Sequence, residues 1–297
     1  MSAALSWRPY VGEDREPASG RLSRRRRGAI RIDQVVKAYG SPPSQVLAVD
    51  RCSLDVGAGE ICVVVGPSGC GKTTLLNAIA GFHGVTGGAI YLDDEMLCGP
   101  GKDTADIGSD RIVVFQNGAL FPWKTHLENV AFGPIVRRAM SRAEAFERAR
   151  GMLVDAGLGG YEDEYPGASS SGVRRRVEIV RALMNDPAVL LLDEPFRALD
   201  ALTKSMMHEA LLAIYARNRA TIFFITHDLE EAIFLGGRVA IMTSRPCRTK
   251  KVIEVDISYP RTRAIATSKQ YRQLLQETTD IVHEEARKAH DLGEKEG

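Results

Sequence analysis

The sequence predicts an α/β fold, with a mostly parallel sheet built behind one glycine-rich loop and a helical segment inserted between its strands. Three observations predict it. Residues 61–65, 189–192 and 222–226 are short, fully apolar runs of the kind a parallel sheet buries on both faces. The first of them feeds directly into Gly66-Pro67-Ser68-Gly69-Cys70-Gly71-Lys72-Thr73-Thr74. Between the first and second, residues 137–158 and 173–184 shift to helical spacing.

Taken in chain order, residues 1–28 carry seven arginines against three acids and show no buried periodicity, so they read as a disordered basic arm. Two roles stay open for it: attraction to anionic lipid headgroups, about 1 kcal/mol per basic side chain near the surface, or a solvated tail. Residues 30–36, 47–56, 61–65, 89–92 and 112–115 are apolar runs broken by turn residues, a strand-rich beginning. After the glycine loop, Leu75, Leu76 and Ile79 supply the buried face of a helix. Ala143, Phe146, Ala149, Leu153 and Leu158 are spaced for one face of a helix over 137–158. The sheet resumes at 189–192 and 222–226, with a helix over 202–215 between them. An amphipathic helix near residues 270–289 is expected to pack against the body.

The glycine loop fits G-x-x-x-x-G-K-[ST], which makes ATP the expected ligand. A strand, a glycine turn and a helix aim backbone N–H groups at phosphates, at the positive end of the helix dipole. Lys72 is expected at the β- and γ-phosphates, and the Thr73 hydroxyl at a Mg2+ ion carried by the nucleotide. Asp193 and Glu194 follow the apolar run 189–192, so both carboxylates sit at the exposed end of a buried strand. Asp193 can hold Mg2+ through a water, and Glu194 can take a proton from a water aligned on the γ-phosphate. His227 closes the next strand.

With 297 residues, 44% hydrophobic, the chain suffices for one large domain or two close-packed subdomains. A net charge of +1 gives no overall pull toward nucleic acid, and no nucleic-acid partner is expected. The five cysteines are scattered and never spaced C-x-x-C, as in reduced cytoplasmic thiols. No apolar stretch nears the roughly 20 residues that cross a bilayer, and no signal peptide is read at the N-terminus.

Over about residues 30–250 these motifs, in this order, resemble the ATP-binding cassette family, the motor subunits of ABC transporters. The resemblance implies a P-loop NTPase cassette with an antiparallel β subdomain and an inserted helical subdomain. It implies a cassette over 29–255, its helical part about 117–185, and a C-terminal helical extension over 256–297. Tyr39 matches the aromatic that stacks on adenine, and Gln116 the glutamine that senses Mg2+ and couples to the membrane partner. Glu194 matches the catalytic base, His227 the γ-phosphate switch, and Ala198-Leu199-Asp200 the loop that communicates across a dimer.

The family signature, Leu-Ser-Gly-Gly-Gln, corresponds here to Ser169-Ser170-Ser171-Gly172-Val173. In the family it closes over ATP held by the other subunit. Ser170 and Gly172 keep the pattern; Ser169 replaces an apolar anchor, and Ser171 stands where the family has glycine. If that position requires a left-handed backbone, the change costs about 1–2 kcal/mol and slows turnover about tenfold. Two readings stay open: a slower but active site whose serines cap the next helix, or pairing with a different cassette. Arg197 is a second departure, at a position usually small.

Phe115 to Trp123 and Leu127 to Gly133, with Thr226 to Ala232 and Ser244-Arg245-Pro246, are similar to importers of nitrate, aliphatic sulfonates and taurine. The resemblance implies a homodimer around two Mg-ATP, on the cytoplasmic face of the inner membrane. It would drive a transmembrane permease served by a periplasmic or lipoprotein solute-binding protein. Phe121, Pro122 and Trp123 are expected where the permease docks, or else packed in the helical subdomain. Two alternatives remain: a cassette with impaired hydrolysis acting as a regulatory or heterodimer subunit, and a soluble non-transport ABC ATPase.

Overall fold

A computed structural model describes residues 27–102, 107–197, 199–291 and 293. The expected basic arm lies outside the described residues apart from positions 27 and 28. Strands β1 (Ile30–Tyr39) and β2 (Val46–Val56) pair antiparallel, with Ile30 opposite Val56 and Ile32 opposite Leu54. Then β3 (Ile61–Val65) runs through the glycine loop into α1 (Lys72–Ala80). β4 (Gly87–Leu92) and β5 (Glu95–Cys98) complete a four-stranded antiparallel sheet in the order β2-β1-β4-β5.

β6 (Arg111–Val114) opens the second sheet and leads into three helices, α2 (His126–Val136), α3 (Arg142–Asp155) and α4 (Ser171–Leu183). There follow β7 (Val189–Asp193), α5 (Ala201–Asn218), β8 (Thr221–Ile225), α6 (Leu229–Leu235) and β9 (Arg238–Met242). β10 (Thr249–Glu254) and α7 (Lys269–Asp291) end the fold. The second sheet has the order β10-β9-β3-β8-β7-β6, parallel except for β10, which closes one edge antiparallel.

Alternation along β3 explains why its whole length is apolar. Cys62 and Val64 face a core shared with α1 and the antiparallel sheet, while Ile61, Val63 and Val65 face a second core under α4 to α7. A third core joins α2, α3 and α4 through Leu127, Val130, Ala149, Leu153, Val177 and Val180. No described helix is long and apolar enough to cross a membrane.

Several elements differ from expectation. The helix expected over 137–158 is shorter, and its buried face is Ala145, Ala149 and Leu153; Ala143 is exposed. Helix α2 was not anticipated, because its apolar residues surround the helix and Gly133 and Pro134 interrupt it. Its start was nonetheless legible: Thr125 and Glu128 form a reciprocal capping box. Strands β5, β9 and β10 also went unread, β5 being four residues long and β10 an edge strand with only two adjacent apolar residues, Val252 and Ile253. The terminal helix packs as expected. Tyr271 donates to the Glu230 carbonyl at 3.1 Å, and buried Glu285 accepts from the Ser244 N–H at 3.2 Å.

Candidate nucleotide site

A cavity of about 620 Å³ opens where β3 and β7 end, lined by Ser68, Gly69, Gly71, Lys72, Thr73, Thr74, Gln116, Glu194, Arg197 and Arg245. The glycine loop, the glutamine after β6 and the carboxylate after β7 thus meet, at the end of an α/β sheet where ligands bind. Gly66 and Pro67 lie at the root of the loop, their carbonyls each accepting from Lys72 Nζ at 2.8 Å. Gly71 has φ +121°, and a Cβ there would fall 2.6 Å from the Ala48 carbonyl oxygen and 2.9 Å from Cys247 Cβ. Only glycine lets the loop pass this close to β2 before α1 begins.

Cys70 points inward and is buried. The thiols of Cys52, Cys70 and Cys247, far apart in sequence, converge beneath the loop and hydrogen-bond through Cys247. The Cys247 hydrogen bond, aided by Lys72 against burial, brings the Cys70 thiol down to about 7.

Thr73 Oγ1 donates to Asp193 Oδ1 at 3.3 Å. Burial pushes the Asp193 carboxyl up, the charge of Glu194 adds to this, and Thr73 and Lys72 oppose it. A cation here would relieve both the burial and the repulsion, and the hydroxyl, amide and carboxylate oxygens of Thr73, Gln116 and Asp193 suit Mg2+. Among the described residues no group of three His, Cys, Asp or Glu could hold a metal ion by itself, so such an ion needs oxygens from the ligand too.

Glu194 is the residue where the backbone leaves β7, with φ +42°. A left-handed conformation in a non-glycine residue costs about 1–2 kcal/mol; it is held by the Glu194 N–H donating to the Ile225 carbonyl at 3.0 Å and by buried Phe196. The turn brings the carboxylate to the cavity, 14% exposed. Arg197 Nη1 donates to Glu194 Oε2 at 3.2 Å, and His227 Nδ1 lies 3.5 Å from the same oxygen. Arg197, at a position usually small, is exposed on its outer side and pairs with the expected base.

Three expected site features lie away from this cavity. Tyr39 ends β1 with its ring exposed, its hydroxyl 3.1 Å from His83 Nε2, and does not line the cavity. Asp200 caps α5, accepting from the N–H groups of Leu202 and Thr203 at 3.1 and 3.0 Å, and the Thr203 side chain, with these N–H groups, holds its carboxyl low. Of the loop before it, Ala198 lies outside the described residues. The signature residues form the start of α4: Ser169 is buried, Ser170 is the N-cap whose Oγ accepts from the Val173 N–H at 3.3 Å, and Ser171 is the first helical residue. A Cβ at Gly172 would lie 2.6 Å from Thr203 Cγ2, so this glycine is needed for contact with α5.

Ser171 is thus helical, not left-handed, and the expected backbone cost is absent. Ser171→Gly should change the steady-state ATP turnover of the purified chain by no more than about twofold, because it relieves no strain and only lowers helix propensity slightly. A tenfold rise would restore the strained reading.

Sequence reasoning missed Arg175 and Glu178. Arg175 Nη1 donates to the Phe115 carbonyl at 2.8 Å and Nη2 to the Gln116 carbonyl at 2.7 Å. Its Nη1 also meets Glu178 Oε2 at 2.6 Å, and Glu178 Oε1 accepts from the Ala119 N–H at 2.8 Å. Both are buried; burial raises the Glu178 carboxyl and lowers the Arg175 guanidinium. The signature helix therefore carries the backbone of the glutamine loop. The one available signal was a charged pair, three apart, on a helix face otherwise apolar.

Phe121 packs on Phe132 with centroids 4.9 Å apart and on Trp123 at 5.5 Å, with Arg181 over its ring at 4.3 Å. Trp123 itself is 70% exposed, so ordinary packing does not account for it. A groove lined in part by Phe115, Ala119, Phe132 and Arg181 lies between β6, α2 and α4.

Residues 49–197 match the family described as ABC transporter. The chain is 40% identical over 244 residues to an uncharacterized ABC transporter ATP-binding protein of Methanocaldococcus jannaschii, covering 82% of this chain and 88% of that one. It is 40% identical over 267 residues to the nitrate import ATP-binding protein of Synechococcus elongatus, covering 89% and 94%. It is 38% identical to the aliphatic sulfonates import ATP-binding protein of Bacillus thuringiensis, covering 82% and 92%. Among solved structures, a dimeric ATP-binding cassette in a post-hydrolysis state bound to ADP and Pi superposes with a TM-score of 0.66 at 29% identity, over 77% of this chain and all of that one.

Proposed function

The chain belongs to the ABC transporter family of ATP-binding proteins, and on that basis we propose that it is the motor subunit of an importer for a small anionic solute. Nitrate, a sulfonate or taurine is the solute class, supported by the nitrate and sulfonate import relatives. The single observation that carries the reading is the cavity that joins the glycine loop to Gln116 and Glu194.

Two chains pair head to tail, each holding ATP on residues 66–74, with Tyr39 against adenine and Lys72 on the β- and γ-phosphates. A Mg2+ ion, held with the help of Thr73, Gln116 and Asp193, would neutralise phosphate charge. Ser169 to Val173 of the opposite subunit close the site, and Asp200 reports across the dimer. Glu194 takes the proton of the attacking water, and His227, beside it, contacts the γ-phosphate. No covalent intermediate is needed, because positioning and charge stabilisation supply most of phosphoryl-transfer catalysis. Arg197 must release Glu194 before the carboxylate can act, and the γ-phosphate offers it a stronger anionic partner.

The exposed Trp123 and the apolar groove beside it support docking of a permease on the α2 face, at the cytoplasmic side of the inner membrane. The solute-binding protein acts through that permease. The helical backbone at Ser171 favours an active site over the impaired-hydrolysis alternative.

The test is Mg-ATP hydrolysis by the chain reconstituted with its permease in vesicles, with nitrate, taurine and an alkanesulfonate each offered through the binding protein. Turnover stimulated by one solute, with that solute accumulating, supports the reading. Turnover unaffected by permease and solutes would overturn it.

A further inference from the structure

Ser169 stands where the family's signature has an apolar anchor, yet it is buried in contact with polar groups. Ser169 Oγ donates to Glu164 Oε2 at 2.7 Å and lies 3.3 Å from His126 Nε2. His126 is fully buried, and its Nδ1 lies 2.9 Å from the Tyr161 carbonyl oxygen. A carbonyl only accepts, so Nδ1 carries the hydrogen. Burial holds the imidazole below its ordinary value, with the Arg174 charge adding and the Tyr161 carbonyl and Glu164 charge opposing. In the neutral ring Nε2 is then an acceptor, and the one hydroxyl hydrogen of Ser169 is shared between Nε2 and the nearer Glu164.

The backbone repeats the link. The His126 N–H donates to the Glu164 carbonyl and the Leu127 N–H to the Glu162 carbonyl, each at 2.9 Å. Arg174, in the first turn of α4, donates to the carbonyls of Ser169 and Pro166. The first residue of α2 is thus tied through one side chain to the residue before the cap of α4.

We propose that His126 is a positioning residue for the signature segment, its buried imidazole with Ser169 and Glu164 doing by hydrogen bonds what an apolar anchor does by packing. The inference rests on the reading of residues 169–173 as the segment that closes over the other subunit's ATP. Hydrogen bonds are directional where apolar packing is not, so this anchor fixes the orientation of Ser170 and the start of α4 as well as their depth.

The test uses the full chain with His126→Asn, Ser169→Ala, their double variant and His126→Gln. Asn keeps a donor for the Tyr161 carbonyl but loses the reach to Ser169, whereas Gln keeps that reach. Amide hydrogen exchange without nucleotide should quicken about tenfold across residues 169–174 in His126→Asn and in Ser169→Ala, as loss of one buried hydrogen bond implies. The double variant should add little to Ser169→Ala, which already removes the contact with His126 along with the bond to Glu164, and His126→Gln should stay near the parent. In a Glu194→Gln background, the two single variants should need about fivefold more protein for ATP-driven dimerisation. Their nucleotide affinity as dilute monomers should be unchanged.

Unchanged exchange at 169–174 in both single variants, or additive effects in the double, overturns the proposal. Equal loss of monomer nucleotide affinity would reduce His126 to a merely structural part and overturns it as well. Failure of Glu194→Gln alone to dimerise would count against the homodimer reading instead, and the exchange measurement still decides the role of His126.

Discussion

Glu194→Gln should lower steady-state Mg-ATP turnover by about 10²- to 10⁴-fold, the range that a positioned general base supplies. On the proposed reading ATP affinity should stay within a few-fold, because residues 66–74 would hold the ligand and Glu194 only borders the cavity. The change keeps size and planar shape, removes the proton-accepting charge and turns one acceptor oxygen into an amide donor. It also dissolves the ion pair with Arg197 and the contact with His227, which meet on the same oxygen. A Glu194→Gln chain that still turned over within tenfold of the parent would remove Glu194 from the role of base. Measuring turnover and equilibrium binding of the nucleotide on the same preparation separates loss of chemistry from loss of the site.

Arg175→Met is the second large effect. Removing one member of a buried ion pair leaves the other uncompensated, which costs about 3–5 kcal/mol. Here the Phe115 and Gln116 carbonyls lose donors as well, so denaturant unfolding should show a loss at the upper end of that range. The double variant Arg175→Met with Glu178→Gln should regain much of the stability, since no unpaired charge remains in the core. It should not regain turnover, because the Phe115 and Gln116 carbonyls still lack the donors that Arg175 supplies. If the double variant turned over at the parent's rate, the clamp from α4 to the glutamine loop would have no part in the reaction.

The readable part of the site has a common character. Gly66 to Thr74, Gln116, Asp193, Glu194 and His227 each follow an apolar strand or sit on a contiguous motif, and the structure joins all of them around one cavity or one bond away from it. Strand termini are legible because burial on both faces leaves an uninterrupted apolar run that ends where polar chemistry begins. Helix α2 and strand β10 lacked such a signal, whereas β9 carried one in Val239 to Met242. In α2 the apolar residues surround the helix instead of marking one stripe, and β10 is an edge strand whose charges face outward.

Sequence by itself determined that this chain binds ATP and belongs among ABC cassettes, because a phosphate cradle is made of consecutive backbone N–H groups and needs no distant partner. Only the tertiary structure decided what the departures mean. Ser171 proved helical, Arg197 proved to lie on Glu194, and Ser169 proved to lie against Glu164 and, 43 positions away, His126. Arg175 likewise reaches Phe115 across 60 positions. Such contacts depend on how helices pack and which way each side chain is turned, and linear spacing encodes neither.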